Sequence, residues 1–224
     1  MARRAVKQER AERTRAALIE AAAEVFGESG FHGASVVKIA DRAGVTLGAM
    51  YFHFRNKEEL ARHIVAAQPE FVVPPEESQG LQRAVDIALT WAYRLRDSAM
   101  LRAGARLVWD QELFMTPEEN SHQQWTSLIV DDLRVAKSRR ELKAGTDVDE
   151  LARLIVNYCT GAQMHSSIQT GYLDLPQRVE GMWLFLLQTV ATPGALKRIE
   201  LGQSRVSTFV NTPPPMEVSS RSTI

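Results

Sequence analysis

Cysteine is nearly missing from the 224 residues: Cys159 is the only one. No intrachain disulfide can form, and no thiolate cluster is present to hold a structural zinc ion. Cys159 lies inside the apolar run LIVNYCTG, which reads as a buried, inert thiol rather than a sensor. Long apolar runs are missing as well. Nothing approaches the roughly 18 residues that a membrane helix needs, and the N-terminal MARRAVKQERAERTR has no apolar stretch of signal-peptide type. The expectation is a cytoplasmic chain with no membrane partner. Catalytic patterns are absent too: His32, His53, His63, His122 and His165 fall at no metal-ligand spacing, and no Ser or Cys sits in a nucleophile motif or phosphate-binding glycine loop. The expectation is no enzyme, no metal and no cofactor.

Net charge is also zero, 27 basic residues against 27 acidic ones, which argues against nucleic acid only if the charge is evenly spread. It is not. Residues 1–63 hold 11 Lys and Arg against 8 Asp and Glu, so the remainder is acidic. The excess concentrates at Arg3, Arg4, Lys7, Arg10, Arg13 and Arg15, opposed only by Glu9 and Glu12. Such an arm suits a phosphate backbone, although a solvated charged terminus has the same composition. With 45% of residues hydrophobic, the chain can fill a real core of one large domain or two small ones.

Apolar residues recur at helical spacing throughout, with no period-2 strand and no repeat, so the fold class is all-α. Ala17, Leu18, Ala21, Ala22, Val25 and Phe26 form one stripe, and Gly30 ends that helix. Residues 35–54 then read SVVKIADRAGVTLGAMYFHF. Ser35 and Thr46 are N-cap types. Gly44 permits a left-handed turn between two short helices, and Val45 plugs their angle. This is helix-turn-helix spacing. The second helix begins Leu47-Gly48-Ala49, small enough at its start to approach base edges in a major groove. Behind it Tyr51, His53 and Lys57 can donate to phosphate oxygens, and Asn56 with Glu59 three residues later signals the next helix start. Helical hairpins of this kind also occur in bundles that never meet DNA.

The string Gly-Val-Thr, Gly-Ala, Tyr-Phe-His-Phe and Lys-Glu-Glu-Leu within residues 35–60, with RTRAALIEAAAEVF before it, closely resembles the DNA-binding signature of the TetR family of bacterial transcription repressors. The resemblance implies an N-terminal three-helix DNA-binding domain (residues 1–55), a larger helical ligand-binding and dimerisation domain (56–192), and an operator of pseudo-palindromic double-stranded DNA. DNA contacts are expected from Arg15, Ser35, Lys38, Thr46, Leu47, Gly48, Tyr51, His53 and Lys57. Many relatives carry Lys where this chain has Leu47, which exchanges a polar contact for an apolar one, as to a thymine methyl.

Beyond residue 64, VVPPEESQG (72–80) reads as a loop, LQRAVDIALTWAYRLRDS and MLRAGARLVWDQEL as helices, and FMTPEEN as a break. A long helix is expected from about Glu118 to Leu142. Thr146 with Asp149 starts another that Gly171 closes, before a last helix of about 18 residues from Asp174. The final two carry Leu151, Leu154, Ile155, Tyr158 and Ala162, and Met182, Trp183, Phe185, Leu186, Leu187 and Val190. Helices this apolar need two covered sides, as in a monomer core or in the four-helix homodimer interface that the resemblance implies. Residues 193–224 turn polar and are expected to be largely disordered.

A narrower resemblance rests on MLRAGARL (100–107) followed by Trp125. Both look like the γ-butyrolactone receptors, the TetR branch that senses diffusible butyrolactone, butenolide or furan hormones and controls antibiotic production. In that branch a tryptophan at the Trp125 position packs on the hormone, and a polar residue matching Gln68 hydrogen-bonds it. Tyr158 stands where a relative uses threonine, so that contact is changed. Val108 and His122, one turn from Trp125, complete the expected ligand set of Gln68, Val108, Trp125, His122 and Tyr158. Ordinary core packing of Trp91, Trp109 and Trp125 is the competing reading. The connecting helix, 56–68, is the expected lever between hormone and DNA. A multidrug-type repressor and a receptor homologue without its own hormone remain alternatives.

Overall fold

Helix follows helix along the computed structural model, which describes residues 2–202 and Arg205, residues 2–5 as backbone alone; no strand occurs among the described residues. The order is α1 (Ala2–Gly33), α2 (Val36–Arg42), α3 (Leu47–His53), α4 (Lys57–Ala67), α5 (Gly80–Arg94), α6 (Ala99–Leu107), α7 (Ser121–Ser138), α8 (Val148–Thr170), α9 (Leu175–Val190) and α10 (Pro193–Leu196), with 3₁₀ turns at Gln68–Phe71 and Gln111–Leu113. They form two compact units. One holds the chain up to Gln68 with Ser98–Ser121; the other holds Pro69–Asp97 and the chain from His122 onward.

In the first unit α1 turns its expected stripe inward: Leu18, Ala21, Ala22, Val25 and Phe26 are buried. Gly30, at φ 68°, breaks its helical path as the sequence predicts. α6 lies along α1, close enough at Gly27 that a Cβ there would sit 3.8 Å from the Ala103 amide nitrogen. α4 packs on both α1 and α6, so this unit extends beyond residues 1–55.

In the second unit α5 and α8 both pack on α9. Leu142 pairs with Ala191 in a single antiparallel bridge, and the Glu141 carboxylate accepts from the Leu81 amide at 2.9 Å, capping α5. That demand shortens α7, which spans Ser121–Ser138 rather than 118–142. Arg140 turns left-handed at φ 58° to free Glu141 for the cap. At the other end the Ser121 amide donates to Gln111 Oε1. α8 is capped one residue later than read: Asp147, not Thr146, accepts from the Asp149 and Glu150 amides, both at 3.0 Å. Gly171 at φ 61° closes it as expected.

The segment after Pro193 differs from the expected disorder over its first part. Gln82 and Glu200 exchange hydrogen bonds of 3.0 and 2.8 Å, and Arg205 reaches Asp86 Oδ2 at 2.8 Å. Asp86 is fully buried, and a buried carboxylate requires a cation and donors; Ser78 and Gln82 supply the other bonds. The remaining tail, residues 203–204 and 206–224, lies outside the described residues.

Candidate nucleic-acid interface and ligand site

The two short helices owe their geometry to their caps. Ser35 Oγ accepts from the Lys38 amide at 3.2 Å and Thr46 Oγ1 from the Ala49 amide at 3.1 Å. Gly44 takes φ 66°, and the half-buried Val45 donates its amide to Ala40 O. Asn56 accepts from the Glu59 amide, while Glu59 accepts from Arg55 N. The expected capping signal is therefore reciprocal, displaced by one residue. Met50 is the fully buried anchor of α3. Leu47, Gly48, Tyr51 and Phe52 occupy the opposite, exposed face, since residues i, i+1, i+4 and i+5 share one side of a helix. Phe52, at 79% exposure, was not among the residues expected at DNA. The signal was available, because an aromatic two residues beyond the buried Met50 falls on the opposite side of the helix and has no core to enter.

The flanking cations are partly engaged. Arg15 lies over the Phe54 ring, 5.1 Å from its centroid. Lys38 Nζ donates to Gly33 O at 2.9 Å but stays exposed. The Lys57 ammonium donates to Phe31 O at 2.8 Å and Ala34 O at 3.2 Å and lies over the Phe31 ring. Carbonyls at the end of α1 lack helical partners and attract a cation. His53 is half-buried against Phe52, and burial, with Arg15 adding to it, holds its imidazole below the ordinary value. Arg3 and Arg4 of the expected basic arm have side chains outside the described residues.

Among the expected ligand residues, Gln68 in the first unit is buried at 3% exposure, and its Nε2 has no acceptor among the described residues. Its carboxamide rests on Gly104, where an added Cβ would overlap Nε2. Val108, half-buried, ends α6. In the second unit Trp125 is half-buried on α7. His122 Nε2 lies 3.4 Å from Thr160 Oγ1, and burial lowers the pKa of its imidazole. Tyr158 lies on α8. It is 42% exposed and donates its hydroxyl to Arg178 O at 3.1 Å, because it falls on the outward stripe of α8. Trp91 is core, whereas Trp109 is 53% exposed. Trp183, read only as apolar, is fully buried with an indole N–H that has no acceptor among the described residues. Cys159 is half-buried rather than enclosed, and the desolvation it does meet pushes its thiol up to about 12.

α8 and α9 each show two faces. Leu151, Ile155, Trp183 and Leu187 are buried, while Leu154, Ile168, Leu184 and Phe185 are exposed, Phe185 at 82%. Gly161 and Gly181 have open space beyond them. No helix among the described residues is long and apolar enough to cross a membrane, and none of the described His, Cys, Asp or Glu residues form a group able to hold a metal ion.

Two family models match the chain: the bacterial regulatory proteins of the TetR family over residues 18–64, and the tetracyclin repressor-like C-terminal domain over residues 79–192. The chain belongs to the TetR family. It is 34% identical over 194 residues to the A-factor receptor protein of Streptomyces griseus, covering 87% of this chain and 70% of that protein. It superposes on TylP, a TetR regulator from Streptomyces fradiae, with TM-score 0.78 and 36% identity over 90% of each chain. A γ-butyrolactone receptor of ArpA-like type gives TM-score 0.63 and 26% identity over 84% of this chain and 93% of that one. As a TetR-family protein the chain is a DNA-binding, ligand-responsive transcription regulator and not an enzyme. TetR regulators bind operator DNA and small molecules and act as dimers.

Proposed function

We propose that this TetR regulator is a cytoplasmic repressor released from a pseudo-palindromic operator by a diffusible γ-butyrolactone, butenolide or furan signal, and that it controls antibiotic or other secondary-metabolite genes. Residues 1–55 supply the DNA contacts, and residues 56–192 the ligand response and the dimer. The Gln68 carboxamide carries this reading. A buried donor without an acceptor costs about 1–3 kcal/mol, and a lactone carbonyl or hydroxyl oxygen would satisfy it. Val108, in the same unit, offers apolar contact for a ring or alkyl tail, and Trp125 and His122 are the ligand residues that resemblance to the γ-butyrolactone receptors adds. Resemblance to the A-factor receptor and to the γ-butyrolactone receptor points to the same ligand class.

Calorimetric titration of the purified protein with butyrolactones, butenolides and furans tests the ligand class. Binding by one class is expected, with Gln68→Ala weakening it about tenfold, the worth of one hydrogen bond, and Trp125→Ala weakening it at least as much. Tyr158 favours a second reading, because its hydroxyl is already bonded and outward. A repressor answering to antibiotics or other drugs, or an orphan homologue, would need no lactone contact there. Binding of hydrophobic cations without binding of any lactone would support that alternative.

A further inference from the structure

The face that α3 presents outward carries none of the side chains that pair bidentately with guanine or adenine. Between Leu47 and His53 there is no Arg, Lys, Asn, Gln, Asp, Glu or Ser, the residue types that bond base edges. The exposed set is Leu47, Gly48, Tyr51 and Phe52, whose single hydrogen-bonding group is the Tyr51 hydroxyl. Nearby cations are directed elsewhere: Arg42 is held by Glu24 and Glu28, each at 3.0 Å, Lys38 by Gly33 O, and Lys57 by the end of α1.

Gly48 adds a second, independent observation. A Cβ there would meet nothing nearer than Thr46 Oγ1 at 3.9 Å, so packing within the protein does not require glycine. Glycine inside a helix costs stability relative to alanine. Its smallness serves something outside the chain that comes close to the start of α3, as a duplex does when a recognition helix enters the major groove N-terminus first.

The only apolar group that a base pair displays in that groove is the thymine C5-methyl. Resting on the DNA-binding reading above, we infer that this regulator selects its operator chiefly through thymine methyl groups, contacted by Leu47 and Phe52 across the clearance that Gly48 leaves, while exposed cations and the hydroxyls of Ser35, Thr46 and Tyr51 fix register on the phosphates. Substitution of the methyl by hydrogen, as in deoxyuridine, leaves every Watson–Crick and major-groove polar group unchanged and removes the recognised one.

The full-length protein is used to select duplexes from a random pool, and each thymine of the enriched duplex is then replaced by deoxyuridine. At least one thymine per half-site should lose about fourfold in affinity, the value of one buried methyl-sized group, and symmetric replacement in both half-sites about 15-fold. Leu47→Ala and Phe52→Ala, both at exposed positions, should leave helical content unchanged, and one or both should bring the thymine-to-uracil ratio close to one. Uracil tolerated at every position, or a ratio unaltered in both variants, overturns methyl reading alone. Failure to enrich any duplex overturns the DNA-binding reading with it.

Discussion

Gly48 and Gly104 are glycines for different reasons, and each substitution separates stability from function. Gly48→Ala meets open space and should raise the thermal midpoint slightly, since alanine is favoured over glycine in a helix by about 1 kcal/mol, while weakening DNA binding in a fluorescence-anisotropy titration. Gly104→Ala would drive its Cβ into the Gln68 carboxamide, the end of a flexible side chain, so the fold should survive with that amide displaced. Its loss of ligand affinity should match Gln68→Ala, and the double variant should be no weaker than either single one, as expected for coupled neighbours. His63 supplies a pH prediction. Burial, reinforced by Arg15, lowers its imidazole to about 4, whereas unfolded histidine titrates near 6.5. The unfolded state therefore binds more protons between those values. The stability from a neutral His63 is complete above about pH 6.5 and is lost as pH falls toward 4. His63→Leu should flatten the decline of thermal midpoint across that window; an unchanged slope would show that other groups set it.

At the scale of elements, caps and turns were legible because Ser35, Thr46, Gly44, Asn56 and Gly171 act through their own backbone neighbours. Misreadings arose where a distant partner decides the local outcome. KSRREL continues the helical pattern of α7, yet Glu141 leaves it to cap α5, sixty residues away in sequence. The segment after Pro193 looks like a solvated tail, but the buried carboxylate of Asp86 holds Arg205. Lys57 and Tyr158 are surface types whose polar ends are taken by carbonyls that no sequence pattern reveals. Removing one partner of a buried ion pair costs about 3–5 kcal/mol. Arg205→Ala should accordingly lower the thermal midpoint by several degrees, and adding Asp86→Asn should recover part of the loss. The outward stripe of α8 and α9 makes a separate prediction: Phe185→Asp should convert a dimer into a monomer in sedimentation velocity, with secondary structure retained. A dimer that survived this change would place the interface elsewhere.

For the whole molecule, repression and release are one thermodynamic linkage. A ligand that binds the DNA-bound and free forms equally shifts nothing, and nearly complete release requires a preference of about 10⁴-fold. α4 is suited to transmit it within the first unit, since Lys57 grips the end of α1, Arg62 donates to Phe114 O at 3.0 Å, and Gln68 rests on Gly104. Two matching half-sites, about one helical turn apart, would bind the two recognition helices of a dimer. The decisive measurement is a gel shift on DNA flanking the protein's own gene, at fixed salt because phosphate contacts are salt-dependent, with and without butyrolactones, butenolides and furans. A retarded complex that one of these classes dissolves, at a higher concentration for Trp125→Ala and Gln68→Ala, is the predicted result. A complex that persists through all three classes and yields only to hydrophobic cations, or no complex at all, would contradict it.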